Sequence, residues 1–131
     1  MASSDHHEVL HGLRVLIVED AWQVATGLKQ LLEAWGADVA GPVSTSTDAE
    51  HLISQRIPDA AVVDIHLRNG ERSDGLIDRL HDRAIRTVVI TGYSDVSIKP
   101  GKAVAVLQKP FSEELLLAAL HPSRTEQEDT L

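Results

Sequence analysis

The chain has 131 residues, no cysteine and a formal net charge of −8. The lack of cysteine excludes disulfides and cysteine chemistry, and the acidic balance disfavours direct nucleic-acid binding, which needs a basic surface. No apolar run approaches the roughly 20 residues of a membrane-spanning helix, and no signal-peptide segment is visible, so we expect a cytoplasmic protein without a membrane partner. This length is typical of one domain, expected at residues 13–121 between flexible polar tails at 1–12 and 122–131.

Short β-branched apolar runs alternate along the chain with segments whose apolar residues recur every three or four positions. The runs predict strands at residues 14–18, 37–43, 60–65, 87–90 and 103–107. The periodic segments predict helices at residues 21–35, 46–55, 75–83 and 112–120. The buried stripe of the first helix is expected to contain Trp22, Ala25, Leu28, Leu32 and Trp35. The spacing of Thr47 and Glu50 predicts a capping box in the second helix.

The predicted strands are apolar on both faces, which requires helices on both sides of the sheet. The sequence therefore predicts an α/β fold with a doubly wound, five-stranded parallel sheet in the order 2-1-3-4-5. Strand 2 contains Gly41 and Pro42 and is expected at an edge of the sheet. Only residues 92–102 separate strands 4 and 5, and Pro100 lies among them, so the fourth helix of such a fold is predicted to be short or absent.

Ligands of such sheets bind at the carboxyl ends of the strands. The chemically active residues at these ends are Glu19 and Asp20 after strand 1, Asp64 on strand 3, Thr91 on strand 4 and Lys109 after strand 5. Three clustered carboxylates repel one another, and a Mg²⁺ ion with oxygen ligands removes that repulsion. The lysine and the threonine could hold an anion beside them. The cluster therefore suits phosphoryl transfer to Asp64.

Each of these residues also has a plainer interpretation. Asp20 could cap the first helix, Thr91 could simply favour a strand, and Lys109 could face solvent. A functional site is nevertheless favoured, because the carboxyl ends of four strands contribute residues with compatible chemistry to one edge of the sheet. His66 could be an imidazole metal ligand or a base for hydrolysis, but an exposed side chain beside the site is favoured because Mg²⁺ prefers oxygen.

Four segments at the strand ends carry a family resemblance: VLIVED at 15–20, VVDIHL at 62–67, VITGY at 89–93 and LQKPF at 107–111. They resemble the receiver domain of bacterial two-component response regulators, and in particular the single-domain, CheY-like subgroup with a degenerate fourth helix. The resemblance covers residues 13–120. It implies that Asp64 accepts a phosphoryl group from the phosphohistidine of a histidine kinase.

The resemblance also implies the parts of a receiver site. Mg²⁺, for which Mn²⁺ or Ca²⁺ could substitute, would bind the residue set Glu19 (through water), Asp20, Asp64 and His66 (by its backbone carbonyl). Thr91 and Lys109 would contact the phosphoryl group. The Lys109-Pro110 bond would be cis.

The chain departs from the family pattern on strand 5 and in the loop after Asp64. Val106 stands where receivers carry a switch aromatic, and Tyr93 is the candidate replacement. The loop at 67–74 is longer than usual, and its Arg68 and Arg72 could steer an acidic or phosphorylated partner.

The expected function is that of a stand-alone receiver, since residues 121–131 are too few for a DNA-binding output domain. Its donor would be a sensor histidine kinase, of the HWE type by resemblance, or a phosphotransfer protein. Its only expected catalysis is self-phosphorylation and acyl-phosphate hydrolysis. The alternative is a non-phosphorylated pseudo-receiver that acts as a protein-interaction module. A small aspartyl hydrolase is disfavoured because His66 stands where a second acid is needed, and a dinucleotide site because residues 19–23 contain no glycine.

Overall fold

The computed structural model describes residues 9–67, 70–92 and 102–121. The strands are β1 (Arg14–Val18), β2 (Asp38–Val43), β3 (Ala60–Asp64), β4 (Arg86–Thr91) and β5 (Ala105–Gln108). The helices are α1 (Trp22–Ala34), α2 (Ser46–Gln55), α3 (Asp74–Asp82) and α4 (Glu113–Leu120). No helix among these described residues is long and apolar enough to cross a bilayer.

The five strands form one parallel sheet in the order β2-β1-β3-β4-β5. This confirms the predicted doubly wound fold and the edge position of β2. Only residues 92–104 separate β4 from β5, which is consistent with a shortened connecting helix. Within that connection, residues 93–101 lie outside the described part of the chain.

The sheet is buried on both faces because successive side chains of a strand point to opposite sides. On one face, Ile17 and Val62 belong to a core cluster that includes Leu28 of α1 and Leu116 of α4. On the other face, neighbouring strand residues such as Val63 join a second cluster with residues of α2 and α3. This two-sided core explains the continuous apolar runs in the sequence and leaves polar residues to the strand ends.

The predicted apolar stripe of α1 is wrong at its first residue. Trp22 is 76% exposed, whereas Trp35 at the other end of the helix is buried. Because α1 begins at the carboxyl edge of the sheet, its first residue lies beyond the apolar faces of the strands. Ala25, Leu28 and Leu32 form the buried stripe as predicted.

The predicted capping box of α2 is also wrong. The N-cap is Thr45, whose side chain accepts a hydrogen bond from the backbone N–H of Asp48 at 3.1 Å. Thr47 therefore lies inside the helix. Glu50 forms salt bridges with Arg79 and Arg83 instead of reaching back to the helix start.

The described part of the predicted N-terminal tail packs onto the domain. Leu10 is fully buried in the core, and its backbone N–H donates to the carbonyl oxygen of Trp35 at 2.8 Å. The folded part therefore begins before residue 13, because apolar residues within a polar segment can still pack onto the core, as Val9 and Leu10 do. The predicted C-terminal tail at 122–131 lies outside the described residues.

Candidate functional site

The carboxyl edge of the sheet brings the predicted site residues together. Glu19 and Asp20 directly follow β1, and Lys109 directly follows β5. Asp64 and Thr91 are the last residues of β3 and β4. Because all strands are parallel, these five positions share one edge although they are distant in sequence.

Three carboxylates form the centre of the site. Glu19, Asp20 and Asp64 each offer an oxygen, and these oxygens all lie within 4.8 Å of one another. Glu19 and Asp64 are buried, and Asp20 is half-buried. Three acidic groups at such separations repel unless a cation is shared between them, and a hard divalent ion with oxygen ligands fits this donor set.

Lys109 places a positive charge against two of these carboxylates. Its Nζ donates a hydrogen bond to Oδ2 of Asp64 at 2.9 Å and lies 3.0 Å from Oε1 of Glu19. Burial alone would lower the pKa of Lys109, but the two carboxylates outweigh burial and raise it. The ammonium therefore stays charged and is available to an anion at Asp64.

Glu19 is an acid of the site whose pKa is shifted. Burial, with a smaller contribution from Asp64, raises its pKa from 4.5 to about 7. Its Oε2 accepts a hydrogen bond from the backbone N–H of Ala21 at 3.0 Å. Its buried Oε1 is ion-paired with Lys109, yet no group within the described ranges is aligned to donate a hydrogen bond to it. A buried oxygen of this kind fits a site that is completed by a cation or its water.

Both side-chain oxygens of Asp64 accept hydrogen bonds. Oδ2 accepts from Lys109, and Oδ1 accepts from the backbone N–H of His66 at 3.0 Å. The carboxylate faces an open cleft of about 320 Å³. The cleft is lined by Glu19, Asp20, Ala21, Asp64, His66, Gly92 and Lys109. A carboxylate that lines an open cleft beside two further carboxylates and an ammonium is an arrangement that suits phosphoryl transfer to an aspartate.

His66 and Thr91 differ in their position relative to the cleft, because His66 lines it and Thr91 does not. His66 is half-buried and lines the cleft, as expected for a side chain beside the site. Thr91 is buried and is not one of the lining residues, although its carbonyl oxygen accepts a hydrogen bond from the backbone N–H of Lys109 at 2.7 Å. The structure thus brings Thr91 to the edge of the site rather than onto the wall of the cleft.

The structure rejects the plainer interpretations of Asp20 and Lys109. Ala21, not Asp20, is the N-cap of α1. Lys109 is turned toward Asp64 and is only partly exposed. Asp20 therefore belongs to the carboxylate cluster, and Lys109 lies against two of its members, Glu19 and Asp64.

Sequence reasoning missed one residue of the site, Ser73. It is fully buried, and its hydroxyl donates a hydrogen bond to the backbone carbonyl of Asp64 at 2.6 Å. Its only signal in the sequence is its place just before a predicted helix, which normally indicates a capping residue.

The structure describes two of the four residues at which the sequence departs from the family pattern, Arg72 and Val106. Val106, at the edge strand β5, is 46% exposed. Arg72 forms a salt bridge with Asp74 at 2.6 Å, so its guanidinium is held by a neighbouring acid. Tyr93 and Arg68 lie outside the described residues.

The fold and the site together define a doubly wound α/β protein with an acid and lysine cluster at the carboxyl edge of its sheet. A family model for the response regulator receiver domain matches residues 15–121. The chain therefore belongs to the response regulator receiver domain family of two-component systems. No curated protein matches the chain at a significant level.

Solved structures with the same fold include receivers from bacteria and an archaeon. The signal receiver domain of a modulated diguanylate cyclase from Desulfovibrio desulfuricans G20 is 28% identical, with a TM-score of 0.77, over 88% of this chain and 98% of that chain. A CheY-like receiver domain protein from Methanospirillum hungatei JF-1 is 25% identical, with a TM-score of 0.77, over 91% of this chain and 98% of that chain.

A third structural relative is considerably longer than this chain. The response regulator PhyR from Brucella abortus is 24% identical, with a TM-score of 0.77. The match covers 98% of this chain but only 55% of PhyR, so the chain spans about half of that protein. This likeness shows the fold alone.

Proposed function

We propose that this chain is a phosphoacceptor receiver, in which Asp64 takes a phosphoryl group from the phosphohistidine of a sensor histidine kinase or a phosphotransfer protein. The observation that carries the proposal is the position of Asp64, hydrogen-bonded to Lys109 and within 4.8 Å of the carboxylates of Glu19 and Asp20. Asp64, Lys109 and the two other carboxylates of the cluster all line one open cleft.

The proposed reaction is a direct displacement at phosphorus. A carboxylate oxygen of Asp64 forms the new P–O bond while the P–N bond to the donor imidazole breaks, and the leaving imidazole takes a proton from solvent. The product is an acyl phosphate on Asp64. Lys109 pairs with the phosphoryl oxygens, and the carboxylates of Asp64 and Glu19 raise its pKa before the transfer. Water later attacks the phosphorus of the acyl phosphate, the bond to the Asp64 oxygen breaks, and inorganic phosphate leaves as the free carboxylate is restored.

The carboxylate cluster is proposed to hold Mg²⁺, with Mn²⁺ or Ca²⁺ as substitutes. Asp20 and Asp64 would be direct ligands, Glu19 would act through water, and the backbone carbonyl of His66 would complete the set, as the family resemblance implies. When bound, the cation neutralises charge on the transferring phosphoryl group. Occupation of the cluster also offsets the repulsion between the three carboxylates.

The output is proposed to be a phosphorylation-dependent protein contact or a phosphorelay step in the cytoplasm, with Asp64 phosphorylation biasing an existing conformational equilibrium. Thr91 is proposed to hydrogen-bond the phosphoryl oxygen in the active state. An HWE-type kinase is the proposed donor by family resemblance. Tyr93 remains the candidate for the switch role that Val106 cannot fill.

The test is incubation of the full chain with phosphoramidate and MgCl₂, followed by intact-mass spectrometry. The wild type should gain about 80 Da, one phosphoryl group, and only when Mg²⁺ is present. Asp64→Asn should gain none. Asp59→Asn is the matched control, because Asp59 directly precedes β3 at its other end and hydrogen-bonds the backbone N–H of Arg14. A wild type that stays unmodified would instead indicate a pseudo-receiver.

A further inference from the structure

Ser73 connects the start of α3 to the main chain at Asp64. Its hydroxyl donates to the carbonyl oxygen of Asp64 at 2.6 Å, and its backbone N–H donates to the carbonyl oxygen of Ile65 at 3.0 Å. Ser73, which is fully buried, therefore hydrogen-bonds the backbone carbonyl groups of both Asp64 and Ile65.

The carbonyl of Asp64 lies where the sheet stops providing partners on the β1 side. The pairing of β1 with β3 ends at Val18 and Val63, one residue before Asp64. A buried carbonyl without a partner is costly. Ser73 supplies that partner from a different part of the chain.

The hydroxyl of Ser73 is not used in the way expected for a serine at the start of a helix. Ser73 is the N-cap of α3, yet its side chain makes no capping hydrogen bond. Ser112, the N-cap of α4, does make one, because its oxygen accepts from the backbone N–H of Leu115 at 3.0 Å. Both serines are N-cap residues, but the hydroxyl of Ser112 caps its helix, whereas the hydroxyl of Ser73 bonds the carbonyl of Asp64.

The loop between β3 and α3 closes so that Ser73 returns to Asp64. An antiparallel bridge joins His66 and Arg72, and the backbone N–H of Leu67 donates to the carbonyl of Glu71 at 2.7 Å. Ser73 is in turn fixed to α3, since its carbonyl accepts from the backbone N–H of Ile77 at 2.8 Å. The anchor of the Asp64 main chain is thus a packed helix rather than a free loop.

We infer that Ser73 is a positioning residue for phosphoryl transfer to Asp64, an inference that rests on the proposed function. Its hydroxyl fixes the main chain from which the Asp64 carboxylate projects toward Lys109 and the cleft. A displacement of about 1 Å in a reacting group can cost about 100-fold in rate. Loss of the hydroxyl should therefore slow the transfer step without weakening binding of the donor.

The test measures phosphorylation by phosphoramidate at saturating MgCl₂ in the wild type, Ser73→Ala and Ser112→Ala. Ser73→Ala should lower the limiting rate constant by about tenfold or more and leave the half-saturating donor concentration unchanged. Ser112→Ala, which loses the cap of α4 rather than a hydrogen bond to the Asp64 main chain, should keep the wild-type limiting rate. Should Ser73→Ala not fold, Ser73→Cys replaces it, and its weak S–H donor should also slow the limiting rate.

A folded Ser73 variant that is phosphorylated at the wild-type limiting rate would overturn the positioning role and leave the proposed function intact. An unmodified wild type would overturn both. An equal loss of rate in Ser73→Ala and Ser112→Ala would also contradict the inference, because it would assign the effect to helix stability.

Discussion

The ammonium of Lys109 lies 2.9 Å from Oδ2 of Asp64, although the two residues are 45 positions apart in the chain. Lys109 follows β5 and Asp64 ends β3, so the lysine side chain reaches across the end of the intervening strand β4. The same ammonium lies 3.0 Å from Oε1 of Glu19. One ammonium therefore pairs with both buried acids, and under the proposed function it lies beside the phosphoryl group on Asp64.

Replacement of this lysine should weaken the transfer itself. Lys109→Met should lower the rate of Asp64 phosphorylation by phosphoramidate about 100-fold, since a preorganised charge beside the reacting group is lost. The rate is measured by intact mass against time. Lys102→Met is the matched control, because Lys102 pairs with Asp78 at 3.7 Å on the surface. Equal rates in the wild type and Lys109→Met would count against the role of Lys109.

Binding of Mg²⁺ should stabilise the folded chain through the carboxylate cluster. At a concentration of 100 times Kd, the ion should raise the free energy of unfolding by about 2.7 kcal/mol, and removal with a chelator should reverse this. Asp20→Asn should abolish most of the gain, measured by thermal unfolding with and without MgCl₂. Asp82→Asn, at the exposed end of α3, should keep the gain. A full gain in Asp20→Asn would show that the ion binds elsewhere.

The salt bridges between α2 and α3 should make stability depend on pH. Burial alone would raise the pKa of Glu50, but Arg79 and Arg83 outweigh it and lower the pKa below 4.5. A lowered pKa in the folded state adds stability above the unfolded-state value, and that stability is lost as pH falls through the folded-state value.

Glu50→Gln should therefore lower the free energy of unfolding near neutral pH by under about 1 kcal/mol, since the three side chains are partly exposed. The difference from the wild type should shrink as pH falls through the lowered folded-state pKa of Glu50 and disappear once Glu50 is protonated in both states. Urea unfolding at neutral pH and at a series of acidic pH values measures it. Glu33→Gln, on an exposed position of α1, should show no such pattern. A difference that persists at low pH would contradict the ion-pair explanation.

The two tryptophans at the ends of α1 should differ sharply in their contribution to stability. Trp35→Ala should cost about 3–5 kcal/mol because Trp35 is only 7% exposed. Trp22→Ala should change the free energy of unfolding by less than about 0.5 kcal/mol, because Trp22 lies in solvent. Chemical unfolding of both variants measures the contrast. Similar costs would mean that Trp22 is packed after all.

The fold was predictable because few folds can bury strands that are apolar on both faces. The runs around Ile17 and Val62 require cover on both faces, which favours a parallel sheet and collects the polar strand ends at one edge. Glu19, Asp20, Asp64 and Lys109 were all identified by this reasoning, and the structure brings their side chains together.

Side-chain environments were less predictable than element positions. Periodicity places Trp22 on the apolar face of α1 but does not show where the sheet ends beneath the helix. The Thr47 spacing competes with a real cap at Thr45, two residues earlier. Ser73 was missed because a serine before a helix looks the same whether its hydroxyl caps that helix or bonds Asp64.

Phosphorylation at Asp64 is tested best by locating the phosphoryl group on the chain. After phosphorylation with phosphoramidate and MgCl₂, hydroxylamine converts an acyl phosphate into a hydroxamate that survives digestion and fragment sequencing. The tryptic peptide at 57–68 contains both Asp59 and Asp64, so one spectrum compares them directly. We predict that the label is on Asp64 alone and requires Mg²⁺. A label on Asp59 or on another peptide, or its absence from the wild type, would contradict the account.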